Sequence, residues 1–195
     1  MAHPHFTERN VRHRLRSFLD TRPAKEWSGE PATPSAVLAL LSERDGHVHL
    51  MFLRRADALR KHGGQVAFPG GKRDREDASL LATALREVEE EIAVPASAID
   101  VLGRLDDMGT MTGFVITPFV GWIDASTPIV PNPEEVARVF YAPLARFTVA
   151  PAERRAQFFD RFGYTIDGEF LWGATAAITR ALARMIAELP EDVGR

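Results

Sequence analysis

The chain has 195 residues, enough for one well-buried domain, and its 45% hydrophobic and 26% charged residues are ordinary for a globular protein. Its formal net charge of −3 lacks the strong basic excess of a nucleic-acid-binding protein. The absence of cysteine excludes disulfides, a thiolate nucleophile and a zinc site built on sulfur. No run approaches the ~18 apolar residues of a membrane span, and the N-terminus lacks a secretory signal, so we expect a cytoplasmic protein.

An amphipathic helix is predicted near the N-terminus, where apolar residues recur at helical spacing, namely Val11, Leu15, Phe18 and Leu19. A transit peptide or a membrane-surface helix would show a similar stripe, but a short helix docked on the domain is the more common case. Residues 21–34 are rich in proline and glycine, which is typical of a connecting loop. We therefore assign residues 1–30 to an N-terminal helix and loop, and residues 31–195 to the main part of a single domain.

Two apolar runs, residues 36–41 and 47–53, predict a pair of strands, because an Asp-Gly pair between them is typical of a tight hairpin turn. The first run is continuously apolar, which favours a strand covered on both faces. Residues 54–65 are basic and polar and predict a loop. A brief strand over residues 65–68 is expected to lead into the Pro-Gly-Gly turn at residues 69–71.

The most regular pattern predicts a helix from residue 78 or 80 to residue 94, with Asp77 as its N-cap and Pro95 as its terminator. Its apolar stripe consists of Leu81, Ala84, Leu85, Val88 and Ile92. Glu87, Glu90 and Glu91 lie at positions i, i+3 and i+4 and project from a different face. The helix is therefore expected to pack by one side and to present three carboxylates from another.

The second half of the chain predicts further strands and a final helix. Strands are expected at four places, which are residues 99–105, 115–123, 157–166 and 169–172. Residues 136–144 are ambiguous and fit a short helix that runs into a strand. An alanine-rich helix is expected from Gly173 to about Leu189. This order of elements predicts an α/β fold, in which helices cover both faces of a mixed sheet.

The three glutamates of the long helix point to a metal site. Like charges at this spacing repel by about a few tenths of a kcal/mol per pair, so a cation between them would explain why they are collected there. Hard divalent cations such as Mg²⁺ take carboxylate oxygens and usually hold substrate phosphates as well. A solvated helix face is the alternative interpretation.

Two linked motifs resemble those of the Nudix hydrolases. The second half of the Nudix box, G-x5-E-x7-R-E-U-x-E-E-x-G-U with U aliphatic, is matched by Arg86, Glu87, Val88, Glu90, Glu91 and Val94. A pattern of the branch similar to coenzyme A pyrophosphatases is matched upstream by Arg55, Arg60, Gly64 and the turn at residues 68–71. The chain departs from the box at Ala78, which replaces its first glutamate, and at Ala93, which replaces its late glycine. Asp74 or Asp77 could partly replace the missing glutamate.

The resemblance implies an α/β/α sandwich with a mixed β-sheet, and hydrolysis of a diphosphate linked to another moiety. It assigns Glu87, Glu90 and Glu91 as ligands of Mg²⁺ or Mn²⁺, and Glu87 or Glu91 as the group that orients or deprotonates the attacking water. Arg86 would hold a box carboxylate through charge-assisted hydrogen bonds. Glu135 is the candidate for an additional carboxylate outside the box, and a solvated glutamate at a helix start is its alternative.

Substrate recognition is assigned by the same resemblance. Arg55 and Arg60 would meet phosphates, Gly70 and Gly71 would let backbone approach the site, and Phe114 would line the pocket. The predicted reaction splits coenzyme A or its derivatives into adenosine 3′,5′-bisphosphate and 4′-phosphopantetheine or its acyl form. The alternatives are another nucleotide, such as a nucleoside triphosphate, a nucleotide sugar or a dinucleotide, and a non-catalytic Nudix-like binding module. The expected partner is a small molecule rather than nucleic acid or a membrane, and the N-terminal stripe leaves a homodimer open.

Overall fold

The structure is a computed structural model that describes residues 8–30, 32–148, 153–155 and 161–189. Within these residues the helices are α1 (Glu8–Thr21), α2 (Leu80–Ile92) and α3 (Gly173–Glu188). The strands are β1 (Thr33–Arg44), β2 (His47–Arg55), β3 (Val66–Ala67), β4 (Gly70–Lys72), β5 (Asp100–Arg104), β6 (Met108–Gly109), β7 (Phe114–Trp122), β8 (Val136–Pro143), β9 (Glu153–Arg155), β10 (Arg161–Ile166) and β11 (Glu169–Trp172).

Strand β1 forms the centre of the main sheet. It pairs antiparallel with β2 across a tight turn, in which Asp45 and Gly46 have positive φ angles of 51° and 74°. On its other side β1 runs parallel to β7, and β7 pairs in turn with β5. The short strand β4 also pairs with β1, which fixes the Pro-Gly-Gly turn against the sheet. The predicted hairpin and mixed sheet are therefore confirmed.

Helices cover both faces of this sheet. Helix α2 packs on one face, in an apolar cluster that includes Leu38 and Val88. Helices α1 and α3 belong to the cluster on the other face, which includes Leu15, Phe52 and Leu182. Since β1 contributes residues to both clusters, burial on both sides explains its continuous apolar run. The predicted α/β/α sandwich is confirmed.

The N-terminal helix is docked on the domain. Three residues of its apolar stripe, Val11, Leu15 and Leu19, are at most 7% exposed. From another side of the helix, Arg12 forms an ion pair with Asp100 at the start of β5. In the described part of the chain no helix is long and apolar enough to cross a membrane.

The boundaries of helix α2 differ from the prediction. The Ser79 hydroxyl caps the helix, because it accepts a hydrogen bond from the Ala82 N–H at 3.1 Å. The prediction of Asp77 as the N-cap is therefore wrong, and its side chain binds groups outside the helix start. At the other end the helix stops at Ile92, and Ala93 follows in the left-handed conformation with φ 56° and ψ 31°.

Three other predictions need correction. Strand β2 continues to Arg55, so the residues 54 and 55 belong to a strand rather than to the loop. Strand β8 precedes a 3-10 helix at Leu144–Phe147, which reverses the expected order of helix and strand. The short strand β6 lies between β5 and β7, where no strand was predicted. The final hairpin is confirmed as β10 and β11, while residues 157–160 of its first predicted strand lie outside the described residues.

Candidate active site

Glu91 is the buried centre of the candidate site and is only 1% exposed. Its Oε2 accepts a hydrogen bond from the Gly70 N–H at 3.0 Å, and its Oε1 accepts one from Arg55 Nη1 at 3.1 Å. These contacts join the box helix to the Pro-Gly-Gly turn and to the end of strand β2. Helical spacing predicted that Glu91 lies on an acidic face that the helix presents. In the folded chain the Pro-Gly-Gly turn covers Glu91.

Glu87 lies over the same turn. A Cβ atom on Gly71 would stand 2.3 Å from Glu87 Oε1, so a side chain at position 71 would displace this carboxylate. A Cβ atom on Gly70 would stand 2.3 Å from the carbonyl oxygen of Ala36. Both glycines are therefore required by close approach, one to a carboxylate and one to the neighbouring strand.

Burial dominates the electrostatics of these two carboxyl groups. It raises the pKa of Glu91 to about 7, and the charges of Glu87 and Glu135 act in the same direction. The Gly70 N–H and Arg55 oppose this rise without cancelling it. Burial also raises the pKa of Glu87, against the opposing effect of Arg86. Both carboxyl groups therefore hold a proton more readily than a free glutamate, mainly because they are removed from water.

Arg86 links the box carboxylates to Asp77. Its Nε and Nη2 donate to the two carboxylate oxygens of Asp77, both at 3.0 Å. Its Nη1 donates to Glu87 at 3.0 Å and to Glu90 at 2.8 Å. Asp77 also accepts from the Thr83 hydroxyl, and the Arg86 hydrogen bonds hold the pKa of Asp77 well below its usual range. Sequence reasoning missed this partner, because an acid before a helix equally predicts a cap.

The predicted ligands do not converge as one preformed group. Glu90 is 52% exposed and shares Arg86 Nη1 with Glu87, whereas Glu91 is buried against Gly70 of the turn. Glu135 is held near Arg55, because its carbonyl oxygen accepts from the adjacent Ala56 N–H at 2.8 Å. Among the described residues no set of three acidic, histidine or cysteine side chains has the geometry of a metal site. The carboxylate oxygen donors nevertheless fit a hard divalent cation.

A cavity of about 920 Å³ reaches the turn that contacts both carboxylates. Its basic wall residues are Arg55, His62 and Lys72. Its larger apolar residues are Val37, Val66, Phe68, Met108, Met111, Phe114, Ile116, Trp172 and Ile178. Arg60 is exposed and is not part of this wall, and Arg54 pairs with Asp57 and Glu169. Of Arg54, Arg55 and Arg60, only Arg55 therefore lines this cavity.

Comparison with known proteins identifies the family. A family model described as the NUDIX domain matches residues 32–162. Curated relatives named "Uncharacterized Nudix hydrolase NudL", from Yersinia pestis (strain Pestoides F) and Yersinia pseudotuberculosis serotype O:1b (strain IP 31758), are each 44% identical over 144 residues, which is 71% of this chain and 72% of the relative. The chain belongs to the Nudix family.

Solved structures agree at the level of the fold. The Nudix hydrolase RenU from M. smegmatis aligns with a TM-score of 0.56 and 18% identity, over 84% of this chain and 91% of that one. A MutT protein from Methanosarcina mazei Go1 aligns with a TM-score of 0.52 and 16% identity, over 86% and 96% of the two chains. The protein is thus a Nudix hydrolase that acts on a diphosphate substrate, and Nudix hydrolases generally use divalent metal ions.

Proposed function

We propose that this Nudix hydrolase cleaves the diphosphate of coenzyme A or its derivatives, with Mg²⁺ or Mn²⁺, to adenosine 3′,5′-bisphosphate and 4′-phosphopantetheine or its acyl form. One observation carries the proposal. Arg55 and Gly70, which belong to the motif of the coenzyme A branch, both donate hydrogen bonds to Glu91 of the Nudix box. The two motifs therefore meet at one buried carboxylate, beside a cavity that is mostly apolar.

The residues around the Pro-Gly-Gly turn have separate roles in the proposed hydrolysis. Glu87 and Glu91 would hold the cation, with Glu90 or Glu135 completing the ligand set. A bound Mg²⁺ or Mn²⁺ supplies neutralisation of phosphate charge and a lowered pKa for bound water. Glu87 or Glu91 would take the proton as water attacks phosphorus, and the bridging P–O bond of the diphosphate breaks. Arg86 acts as a positioning residue, since it contacts the box carboxylates.

The cavity supports the proposed substrate. Arg55 and Lys72 lie where phosphate oxygens would approach the turn, and arginine's planar fork suits such oxygens. Arg60 would have to reach a phosphate from outside the wall. Phe114 and its apolar neighbours form a surface that suits the pantetheine arm, because that arm is more apolar than the phosphates. A cytoplasmic location and a homodimer remain predictions.

Product analysis tests the proposal directly. Purified protein is incubated with coenzyme A and Mg²⁺ or Mn²⁺, and the products are separated by chromatography and identified by mass. We expect adenosine 3′,5′-bisphosphate and 4′-phosphopantetheine, and no products with EDTA or with Glu91→Gln. If the protein cleaves a nucleoside triphosphate, a nucleotide sugar or a dinucleotide and leaves coenzyme A intact, its substrate is that nucleotide and the enzyme class stays the same. Metal-dependent turnover lost in Glu91→Gln would eliminate the binding-module alternative.

A further inference from the structure

The loop that precedes β3 holds His62 in an uncommon backbone conformation. His62 has a φ of 61°, in the left-handed region that few residues other than glycine adopt. The next residue is packed too closely for a side chain, because a Cβ atom on Gly63 would stand 2.7 Å from the Asp57 carbonyl oxygen. Gly64 follows with a φ of 72° and donates its N–H to the Arg55 carbonyl oxygen at 3.1 Å. The backbone therefore fixes the direction in which the His62 side chain leaves the loop.

That direction places the imidazole of His62 on the wall of the cavity. Its Nδ1 lies 3.0 Å from Gln65 Oε1. This contact occupies Nδ1 and leaves Nε2 for another partner. Arg55 and Lys72 line the same cavity, so three basic residues border it. An anionic ligand is the chemistry that such a set recognises.

We infer that His62 is a specificity-determining residue, whose imidazole donates a hydrogen bond from Nε2 to a phosphate oxygen of the substrate. The inference rests on the proposed function, and the phosphate is either the diphosphate or the 3′-phosphate of coenzyme A. The competing explanation is local, since histidine and asparagine both adopt the left-handed conformation more readily than most residues. Gln65 then acts as a positioning residue for the ring.

Two variants separate these explanations, because both suit the backbone and remove the imidazole. Asparagine and glycine adopt a positive φ, so His62→Asn and His62→Gly should fold normally. KM and kcat are measured for coenzyme A and for 3′-dephospho-coenzyme A, with His47→Asn on the exposed β1–β2 hairpin as the matched control. We expect both His62 variants to raise KM by about 10-fold or more, as for the loss of a hydrogen bond to a charged group. The control should match the wild type.

The two substrates tell which phosphate is contacted. A rise in KM for coenzyme A alone assigns the contact to the 3′-phosphate, and a rise for both substrates assigns it to the diphosphate. Unchanged KM for both substrates, with unchanged melting temperature, overturns the inference and leaves His62 a turn residue. Gln65→Leu should give a smaller rise of the same kind.

Nitrogen chemical shifts of labelled histidine provide a readout that does not depend on turnover. The Nε2 signal of His62 is identified by its absence from the spectrum of His62→Asn. In Glu91→Gln, addition of coenzyme A and Mg²⁺ should shift this signal. If the wild type leaves coenzyme A intact, the proposed function fails, and inorganic diphosphate replaces coenzyme A in this titration. A shift with diphosphate then upholds the role of His62 in phosphate binding, and an unmoved signal overturns it.

Discussion

Glu91 makes the stability of the metal-free protein depend on pH in an unusual direction. Burial raises the pKa of this carboxyl from 4.5 to about 7. The folded protein therefore binds a proton that the unfolded chain has released between these two values. The stability that protonated Glu91 contributes is fully present below pH 4.5 and is lost as the pH rises towards 7.

Glu91→Gln removes this titration and keeps the shape of the side chain. We expect the free energy of unfolding of the wild type, relative to the variant, to fall as the pH rises from 4.5 to 7 in EDTA. Urea denaturation of both proteins across this range measures the difference. Added Mg²⁺ should restore the wild type more than the variant. Parallel pH profiles in EDTA would show that Glu91 titrates as an ordinary glutamate.

Asp77 positions Arg86, and its loss should affect both stability and activity. Asp77→Asn replaces charged hydrogen bonds with weaker ones, so we expect a loss of about 1–3 kcal/mol of unfolding free energy at neutral pH. The Mg²⁺ concentration for half-maximal activity should rise, because Arg86 contacts Glu87 and Glu90. In the wild type this stabilisation is present above the ordinary Asp pKa of 3.8 and is lost as the pH falls below it.

Asp74→Asn is the matched control for that change. Asp74 is 62% exposed and lies 3.8 Å from Arg86, so its substitution should alter the unfolding free energy by less than about 0.5 kcal/mol. Equal effects of the two variants on stability and on the Mg²⁺ requirement would remove the special role of Asp77.

At the scale of the element, the end of helix α2 stores a small strain. Ala93 occupies a left-handed position that costs an alanine about 1–2 kcal/mol, and the Nudix box has glycine there. Ala93→Gly should therefore raise the unfolding free energy by about 0.5–1 kcal/mol, since the entropy of glycine in the unfolded chain offsets part of the gain. Ala82→Gly inside the same helix should lower it by about 1 kcal/mol. Thermal denaturation of both variants tests the contrast in sign.

The elements themselves were largely predictable, because their patterns are local. The β1–β2 hairpin follows from an Asp-Gly turn between apolar runs, and helix α2 follows from its periodic stripe. The predictions that were wrong concern residues for which two local roles compete, or residues whose role is decided by tertiary contacts. Ser79 and Asp77 both suit a helix cap, and only the Arg86 guanidinium decides that Asp77 serves elsewhere. Local pattern likewise leaves the order of β8 and its 3-10 helix undecided.

The sequence allows residues to be proposed for the candidate site, but it does not predict their geometry. The spacing of the glutamates predicts one acidic face, yet the Pro-Gly-Gly turn buries Glu91 while Glu90 stays exposed beside Arg86. His62 gave no signal in the sequence, because its place on the cavity wall comes from the backbone of a loop. Such contacts arise from the path of the chain and not from local periodicity.

At the scale of the whole molecule, the N-terminal helix packs into the same core cluster as Phe68, which precedes the Pro-Gly-Gly turn, so we expect the two to unfold together. Leu15 is fully buried in the cluster that also contains residues of α3 and the sheet. Leu15→Ala should lower the unfolding free energy by about 2–5 kcal/mol in one transition, whereas exposed His13→Ala should change it by less than about 0.5 kcal/mol. A separate early transition in Leu15→Ala, with the main one unmoved, would mean that the helix is an independent appendage.

The most direct measurement is anomalous diffraction from crystals grown with Mn²⁺. We expect one strong peak between the carboxylates of Glu87 and Glu91 at the Pro-Gly-Gly turn, with Glu90 or Glu135 drawn in as a further ligand. Full occupancy of Mn²⁺ at another place, with Glu87 and Glu91 making no contact to it, would contradict this account of how the protein attacks a diphosphate.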